Sequence, residues 1–160
     1  MAKEEKAQTE VSIGLEKLWQ VMSKPKDLAA IMPEIVPEQV KEVQVIQGDG
    51  GVGTVLFTTP WSILPGSSGA SYKEKIAELD GTAHVIAFEY VEGGFLDRGF
   101  TYFKTTIQLS AKGEGQTLVD VKISYESDID EESTQRLTKT AVTSALNFLS
   151  GLEKRLSDAA

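Results

Sequence analysis

A chain of 160 residues has the length of one domain, and a domain of that size buries roughly 70% of the surface its unfolded chain exposes. Sixteen Lys and Arg against 24 Asp and Glu give a net charge of -8. That acidic balance repels phosphate backbones and anionic headgroups, so neither nucleic acid nor membrane is an expected partner. The chain has no cysteine, which excludes disulfides, thiolate nucleophiles and thiolate-held metals. The opening Met1-Ala2-Lys3-Glu4-Glu5-Lys6 is charged and lacks the apolar stretch of a secretory signal, and the expected location is cytoplasmic. A single domain over residues 1–160 is expected, with no linker, repeat or low-complexity block.

The first strand signal runs from Thr9 to Ile13, with Thr9, Val11 and Ile13 on one face. Gly14 ends it. Leu15, Leu18, Trp19 and Met22 then recur at helical spacing and predict a short helix over Leu15–Ser23. Pro25 opens a second, over Pro25–Met32, and Pro33 and Pro37 predict an irregular stretch. From Val40 the period becomes two. Strand, glycine turn and strand follow, with the turn at Gly48-Asp49-Gly50-Gly51-Val52-Gly53, which is a hairpin signature. Pro60 to Gly69 reads as a loop carrying Trp61, Ile63 and Leu64. Four more strands are predicted over Ser71–Leu79, His84–Val91, Gly99–Ser110 and Thr117–Glu126. After Asp128-Ile129-Asp130-Glu131-Glu132, whose charge suits a helix N-terminus, Leu137, Ala141, Ala145, Phe148, Leu152 and Leu156 mark a long amphipathic helix of about 25 residues, or about 37 Å. One strand, two short helices, six strands and one long helix make an α+β layout, in which a curved antiparallel sheet of seven strands wraps the long C-terminal helix.

Three constellations bear on chemistry. Gly48, Gly50 and Gly53 satisfy G-x-G-x-x-G, but a β-branched run follows where a phosphate site needs a helix N-terminus, so the glycines read as a hairpin turn. His84 is the sole histidine, and nothing in the sequence positions a triad around it. Asp128, Asp130, Glu131 and Glu132 lack the spacing of a calcium loop and read as a solvated helix cap. The informative stretch is Tyr72-Lys73-Glu74-Lys75-Ile76. Alternation puts Tyr72, Glu74 and Ile76 on one face, and Ile76 turns that face inward. A carboxylate there could anchor a ligand donor or act as a general acid or base; the other reading puts Glu74 outside or satisfied by a neighbouring backbone group. Ile86, Phe88 and Tyr90 share a face, as do Thr101, Phe103, Thr105 and Ile107; aromatics mixed with Thr can line a cavity or fill a core.

Gln44-Val45-Ile46-Gln47-Gly48-Asp49-Gly50-Gly51-Val52-Gly53-Thr54 resembles the glycine-rich loop of the birch-pollen-allergen-like family, the class-ten pathogenesis-related proteins. Val91-Glu92-Gly93-Gly94 and the order of elements resemble it too. Within that family, Gln8-Thr9-Glu10-Val11-Ser12, Leu15-Glu16-Lys17-Leu18-Trp19, Tyr102-Phe103-Lys104-Thr105-Thr106 and Thr117 to Tyr125 are similar to the cytokinin-specific, or phytohormone-binding, proteins. The resemblance implies a helix-grip fold with an internal cavity for a small, hormone-like apolar ligand, no cofactor, and a monomer or weak dimer. It puts the pocket carboxylate on Glu74, with Tyr72 where those binders carry Gln, and Ala145 and Phe148 where they carry Thr and Tyr. Wall candidates are Leu56, Ile86, Phe88, Tyr90, Phe103, Thr105, Ala145 and Phe148, with Leu64 at an entrance rim. A second resemblance, to the norcoclaurine synthases, rests on Tyr72-Lys73-Glu74-Lys75. It implies an amine–aldehyde condensation, but puts the catalytic Lys on Ile86 and the pocket Asp on Thr105.

Overall fold

The computed structural model describes residues 2–37, 40–60 and 71–158. β1 (Lys3–Val11) is followed by α1 (Leu15–Met22) and α2 (Pro25–Ile35). Six strands come next: β2 (Val40–Gln47), β3 (Val55–Pro60), β4 (Tyr72–Asp80), β5 (Val85–Glu92), β6 (Phe100–Gly113) and β7 (Gln116–Ser127). α3 (Glu131–Asp158) closes the chain. All seven strands form one antiparallel sheet in the order β1-β7-β6-β5-β4-β3-β2. The expected α+β architecture is therefore present.

Several boundaries differ from the sequence reading. β1 begins at Lys3 rather than Thr9. Its charged first half pairs with β7 from Lys3↔Tyr125 onward, and an edge strand tolerates such charges because water reaches it. α2 continues through Pro33 to Ile35 instead of breaking there. Between β5 and β6 the turn tightens into a 3-10 helix at Gly94–Arg98. Pro60, predicted to open a loop, instead ends β3; Trp61, Ile63 and Leu64 lie outside the described residues.

α3 has 28 residues and spans about 42 Å at 1.5 Å per residue. Its start is capped by Asp130, whose Oδ2 accepts the Ser133 N–H at 2.8 Å; that bond holds the Asp130 carboxyl below its usual range, as the cap reading requires. Its buried residues Ala141, Phe148, Leu149 and Leu152 join Ile76, Ile86, Phe103, Ile107, Val121 and Ile123 of the sheet in one apolar core. At the far end α1 and α2 hold the helix. A Cβ on Gly151 would lie 2.4 Å from the Ile35 carbonyl oxygen, so only glycine permits this approach of α3 to α2. Lys17 Nζ donates to Leu156 O at 3.1 Å, and Arg155 pairs with Glu34. No described helix is long and apolar enough to cross a membrane.

Candidate ligand-binding site

The face of the sheet that meets α3 carries the residues of interest. Leu56 on β3 opposes Glu74 on β4, and Glu74 opposes Tyr90 on β5. One pair further along, Thr58 opposes Tyr72. In the other direction Ile76 opposes Phe88, and Phe88 opposes Thr105 on β6. Directly opposed residues share a face, and Ile76 is fully buried. The inward face is thus the one that alternation assigned to Tyr72 and Glu74. A bulge at Ala77 shifts the register, so that Leu79 opposes Ile86. A second, at Thr101, sits between Phe100↔Ser127 and Tyr102↔Glu126. It removes Thr101 from the face predicted for it; Thr101 is exposed and its hydroxyl reaches Glu126 O at 3.4 Å.

The tyrosines meet. The Tyr72 and Tyr90 rings stack at 5.0 Å and 22°. Tyr90 presents its edge to Phe95 at 5.5 Å and to Phe103 at 5.4 Å, while Phe95 stacks on Phe103 at 4.2 Å. Two glycines leave room for this packing. Gly93 and Gly94 have φ of 74° and 59°. A Cβ on Gly94 would lie 2.4 Å from Tyr90 Cε2, and one on Gly93 2.6 Å from Ser71 O. The hydroxyls of Thr58 and Tyr90 lie close enough to that of Tyr72 to bear on its proton.

Glu74 is different. Burial alone raises its carboxyl to a pKa of about 7, because the charged form is the one that desolvation penalises. Desolvation also raises both phenols, and the charge of Glu74 adds to it. Among the described residues the Glu74 carboxylate has no hydrogen-bond partner. Yet Glu74, Tyr72 and Tyr90 all keep part of their accessible surface. A side chain that is deeply surrounded by protein and still accessible is placed to meet a molecule that reaches this face. Phe88, Thr105 and Ala145 also keep accessible area, whereas Ile86 and Phe103 have almost none and are packed into the core. Leu56 and Phe148 are nearly as buried. Leu64 falls outside the described residues.

Sequence reading passed over Thr58 and Phe95. Thr58 could have been found by continuing the alternation two residues beyond Leu56. Phe95 depends on the 3-10 turn, which periodicity does not reveal. The lysines of this region, Lys73, Lys75 and Lys104, occupy the opposite face: Lys73 pairs with Glu92 at 2.8 Å, and Lys75 and Lys104 both oppose Glu89. The glycine-rich turn is occupied by its own bonds. Gly50 N–H donates to Thr54 Oγ1 at 2.8 Å, Gly51 N–H to Asp49 Oδ1 at 3.0 Å and Gly53 N–H to Ile76 O at 2.9 Å.

A sheet of seven strands gripping a long helix, with a polar spot on its inner wall, defines a helix-grip fold of the ligand-binding kind. The model of the pathogenesis-related protein Bet v 1 family matches residues 2–156, and the chain belongs to that family. Norbelladine synthase of Narcissus pseudonarcissus is 35% identical over 123 residues, 77% of this chain and 72% of that protein. S-norcoclaurine synthase of Thalictrum flavum subsp. glaucum is 34% identical over 116 residues, 72% of this chain but only 53% of that protein's length. The structure of norcoclaurine synthase from Thalictrum flavum in complex with dopamine and hydroxybenzaldehyde superposes with a TM-score of 0.81 at 27% identity, over 100% of this chain and 89% of the other. The resemblance read from the sequence holds at the level of family and fold.

Proposed function

We propose that this protein reversibly binds a small, largely apolar plant molecule between the sheet and α3, with the Glu74 carboxylate accepting a hydrogen bond from a ligand N–H or O–H. Phytohormones such as a cytokinin or a gibberellin have this character. The observation that carries the reading is the state of Glu74: deep on the inner wall, raised to about 7, and without a protein partner among the described residues. A buried carboxylate left this way is costly unless something supplies the missing bond. The compartment we propose is cytoplasmic and the protein a monomer or weak dimer.

A second reading, an amine–aldehyde condensation, is favoured by the similarity to norbelladine and norcoclaurine synthases and by Tyr72 beside Glu74. Against it, Ile86 and Thr105 stand where the resemblance assigns a lysine and an aspartate, and an alkyl group cannot relay a proton. Isothermal titration with a cytokinin, a gibberellin, an auxin, abscisic acid and dopamine, followed by incubation of dopamine with an aldehyde, separates the two. Saturable hormone binding without product is expected. Product above the protein-free control would overturn the binder reading. In the binder, Glu74→Gln should weaken the hormone by about 1.5–3 kcal/mol, one charge-assisted hydrogen bond; in the enzyme it should abolish turnover.

A further inference from the structure

A glycine inside a helix weakens it relative to alanine, yet Gly151 stands in the last third of α3, between the almost fully buried Leu149 and Leu152. What it gains is proximity. A Cβ there would lie 2.4 Å from the Ile35 carbonyl oxygen and 3.2 Å from its carbon. Both are backbone atoms at the end of α2, and α2 packs on β2, so neither yields cheaply. Two residues on, Glu153 lies about 200° further round the helix, on the opposite flank. Its carboxylate accepts the N–H of Ser12, in the turn that follows β1. β1 and β2 are the two edges of the sheet. The end of α3 is thus wedged between a backbone tied to one edge and a turn tied to the other, and the two contacts set how far across the sheet the helix lies. At its start α3 is fixed by the Asp130 cap and by the bond between Ser127 and Thr134 at 2.7 Å. A change at Gly151 therefore swings the helix about that end.

We propose that Gly151 is a positioning residue that keeps α3 toward the β2 edge, over β3 and β4, and so limits the space beside Glu74 to a width that takes flat, ring-shaped ligands and rejects bulky ones. The inference rests on the binder reading and adds the shape of the ligand to its polar anchor. A Cβ at position 151 must retreat by about 1 Å to reach ordinary contact with Ile35, which drives α3 toward β1. Measured from Glu131, the lever is about 30 Å long at Gly151 and about 21 Å at Ala145. Ala145 and Phe148 then move by roughly 0.7–0.9 Å. A gap of that size forfeits about a quarter to a half of the dispersion attraction on one side of a flat ring, and gives a thicker group room.

Two phenols test this. 2-Naphthol and 4-tert-butylphenol carry the same O–H donor for Glu74 and the same number of carbons, but the first is flat and the second ends in a bulky group. Binding of each is titrated to the parent, to Gly151→Ala and to Arg155→Leu. Arg155 pairs with Glu34 at the same junction, and its removal leaves the glycine contact as it is. The parent is expected to favour 2-naphthol by about tenfold or more, up to exclusion of the bulky phenol. Gly151→Ala should weaken 2-naphthol about three- to fivefold while 4-tert-butylphenol holds or tightens, and Arg155→Leu should keep the parent's ratio. Equal losses of both phenols in Gly151→Ala, or the same change of ratio in Arg155→Leu, would mean a loosened junction and overturn the positioning role. NMR of the parent carries the test if Gly151→Ala fails to fold. At saturation 4-tert-butylphenol should move the amide resonances of Ser12 and Gly151, because a thick ligand loads the wedge, and 2-naphthol should not; a bulky phenol that binds and leaves both amides in place overturns the role. A parent that binds the two phenols equally keeps the binder reading and overturns the width selection. A parent that binds neither overturns both.

Discussion

The turn at Gly48–Gly53 and the wall around Glu74 are neighbours across β3 and β4, and they treat polar groups in opposite ways. In the turn, the N–H groups of Gly50, Gly51 and Gly53 each have a protein acceptor, and buried Thr54 serves both strand and turn. On the wall, burial desolvates the Tyr72 and Tyr90 phenols, and the Glu74 carboxylate has no partner among the described residues and drifts toward its neutral form. A segment whose donors and acceptors are matched internally holds architecture; one that leaves a desolvated group unmatched is poised to meet something else. By that criterion the conspicuous glycine motif is scaffold, and the inconspicuous Tyr-x-Glu on β4 is the site.

The largest effect should fall on the scaffold. Gly48 has φ of 97°, and a Cβ there would lie 2.6 Å from the Thr54 Cα. Neither backbone can yield cheaply, so Gly48→Ala should lower stability by about 3 kcal/mol, from left-handed strain plus the clash. Urea unfolding reads this directly. A variant as stable as the parent would mean that the turn is free to adjust and that its matched bonds are not what shapes the hairpin.

Glu74→Gln should act in the other direction, and only at higher pH. The folded carboxyl titrates near 7 against about 4.3 in an unfolded chain, so the native state holds its proton while the unfolded state has released its own. Below about pH 4 both are protonated and there is no penalty. Stability is lost as pH rises through the interval and stays lost above 7. With discount for partial exposure the penalty is about 2–3 kcal/mol, and the Gln variant escapes it. Unfolding of the ligand-free protein at pH 5 and pH 8 should therefore show a parent that weakens relative to the variant. Binding runs the opposite way: a neutral ligand that donates to the carboxylate should tighten by about tenfold between pH 6 and pH 8 in the parent and not in the variant. A parent whose stability and affinity are both flat with pH would place Glu74 in contact with water or with a permanent partner, and the contrast between the two regions would disappear.

Thr54→Val is a smaller cut into the scaffold. It preserves volume in a fully buried site and strands the Gly50 N–H, which should cost about 1–2 kcal/mol while leaving the pH dependence untouched. A change in the pH profile would show that turn and wall are coupled through β3 and are not separable regions.

How far these regions were legible in the sequence follows from the range of the forces involved. Alternation in Tyr72 to Ile76 and the β-branched run after Gly53 are local patterns, and both gave the correct face and the correct reading of the turn. The helix stripe from Leu137 to Leu156 is equally local. The charged half of β1 was lost because its strand character comes from β7, more than a hundred residues away. The bulges at Ala77 and Thr101 were invisible because an extra residue in one strand is defined by its partner. Thr101 was misassigned for that reason. The stack of Tyr72 on Tyr90 is likewise a partnership between two strands, and no spacing along the chain encodes it.

The smallest expected effect tests the scaffold reading of the turn most sharply. Asp49 Oδ1 accepts the Gly51 N–H at 3.0 Å, and the pair is exposed, so water can replace it. Asp49→Ala should shift stability by no more than about 0.5 kcal/mol, a change in Tm of roughly 2 °C or less. The same variant exposes a glycine N–H in a loop that matches G-x-G-x-x-G and no longer carries a carboxylate to repel anions. If the loop had a latent phosphate site, inorganic phosphate at millimolar concentration would now raise Tm by linkage. Because Gly50 and Gly53 spend their N–H groups on Thr54 and Ile76, and β3 rather than a helix follows the turn, a single freed donor cannot cradle a phosphate. Tm should therefore be indifferent to phosphate in parent and variant alike. A phosphate-dependent rise would move the glycine turn from scaffold to site.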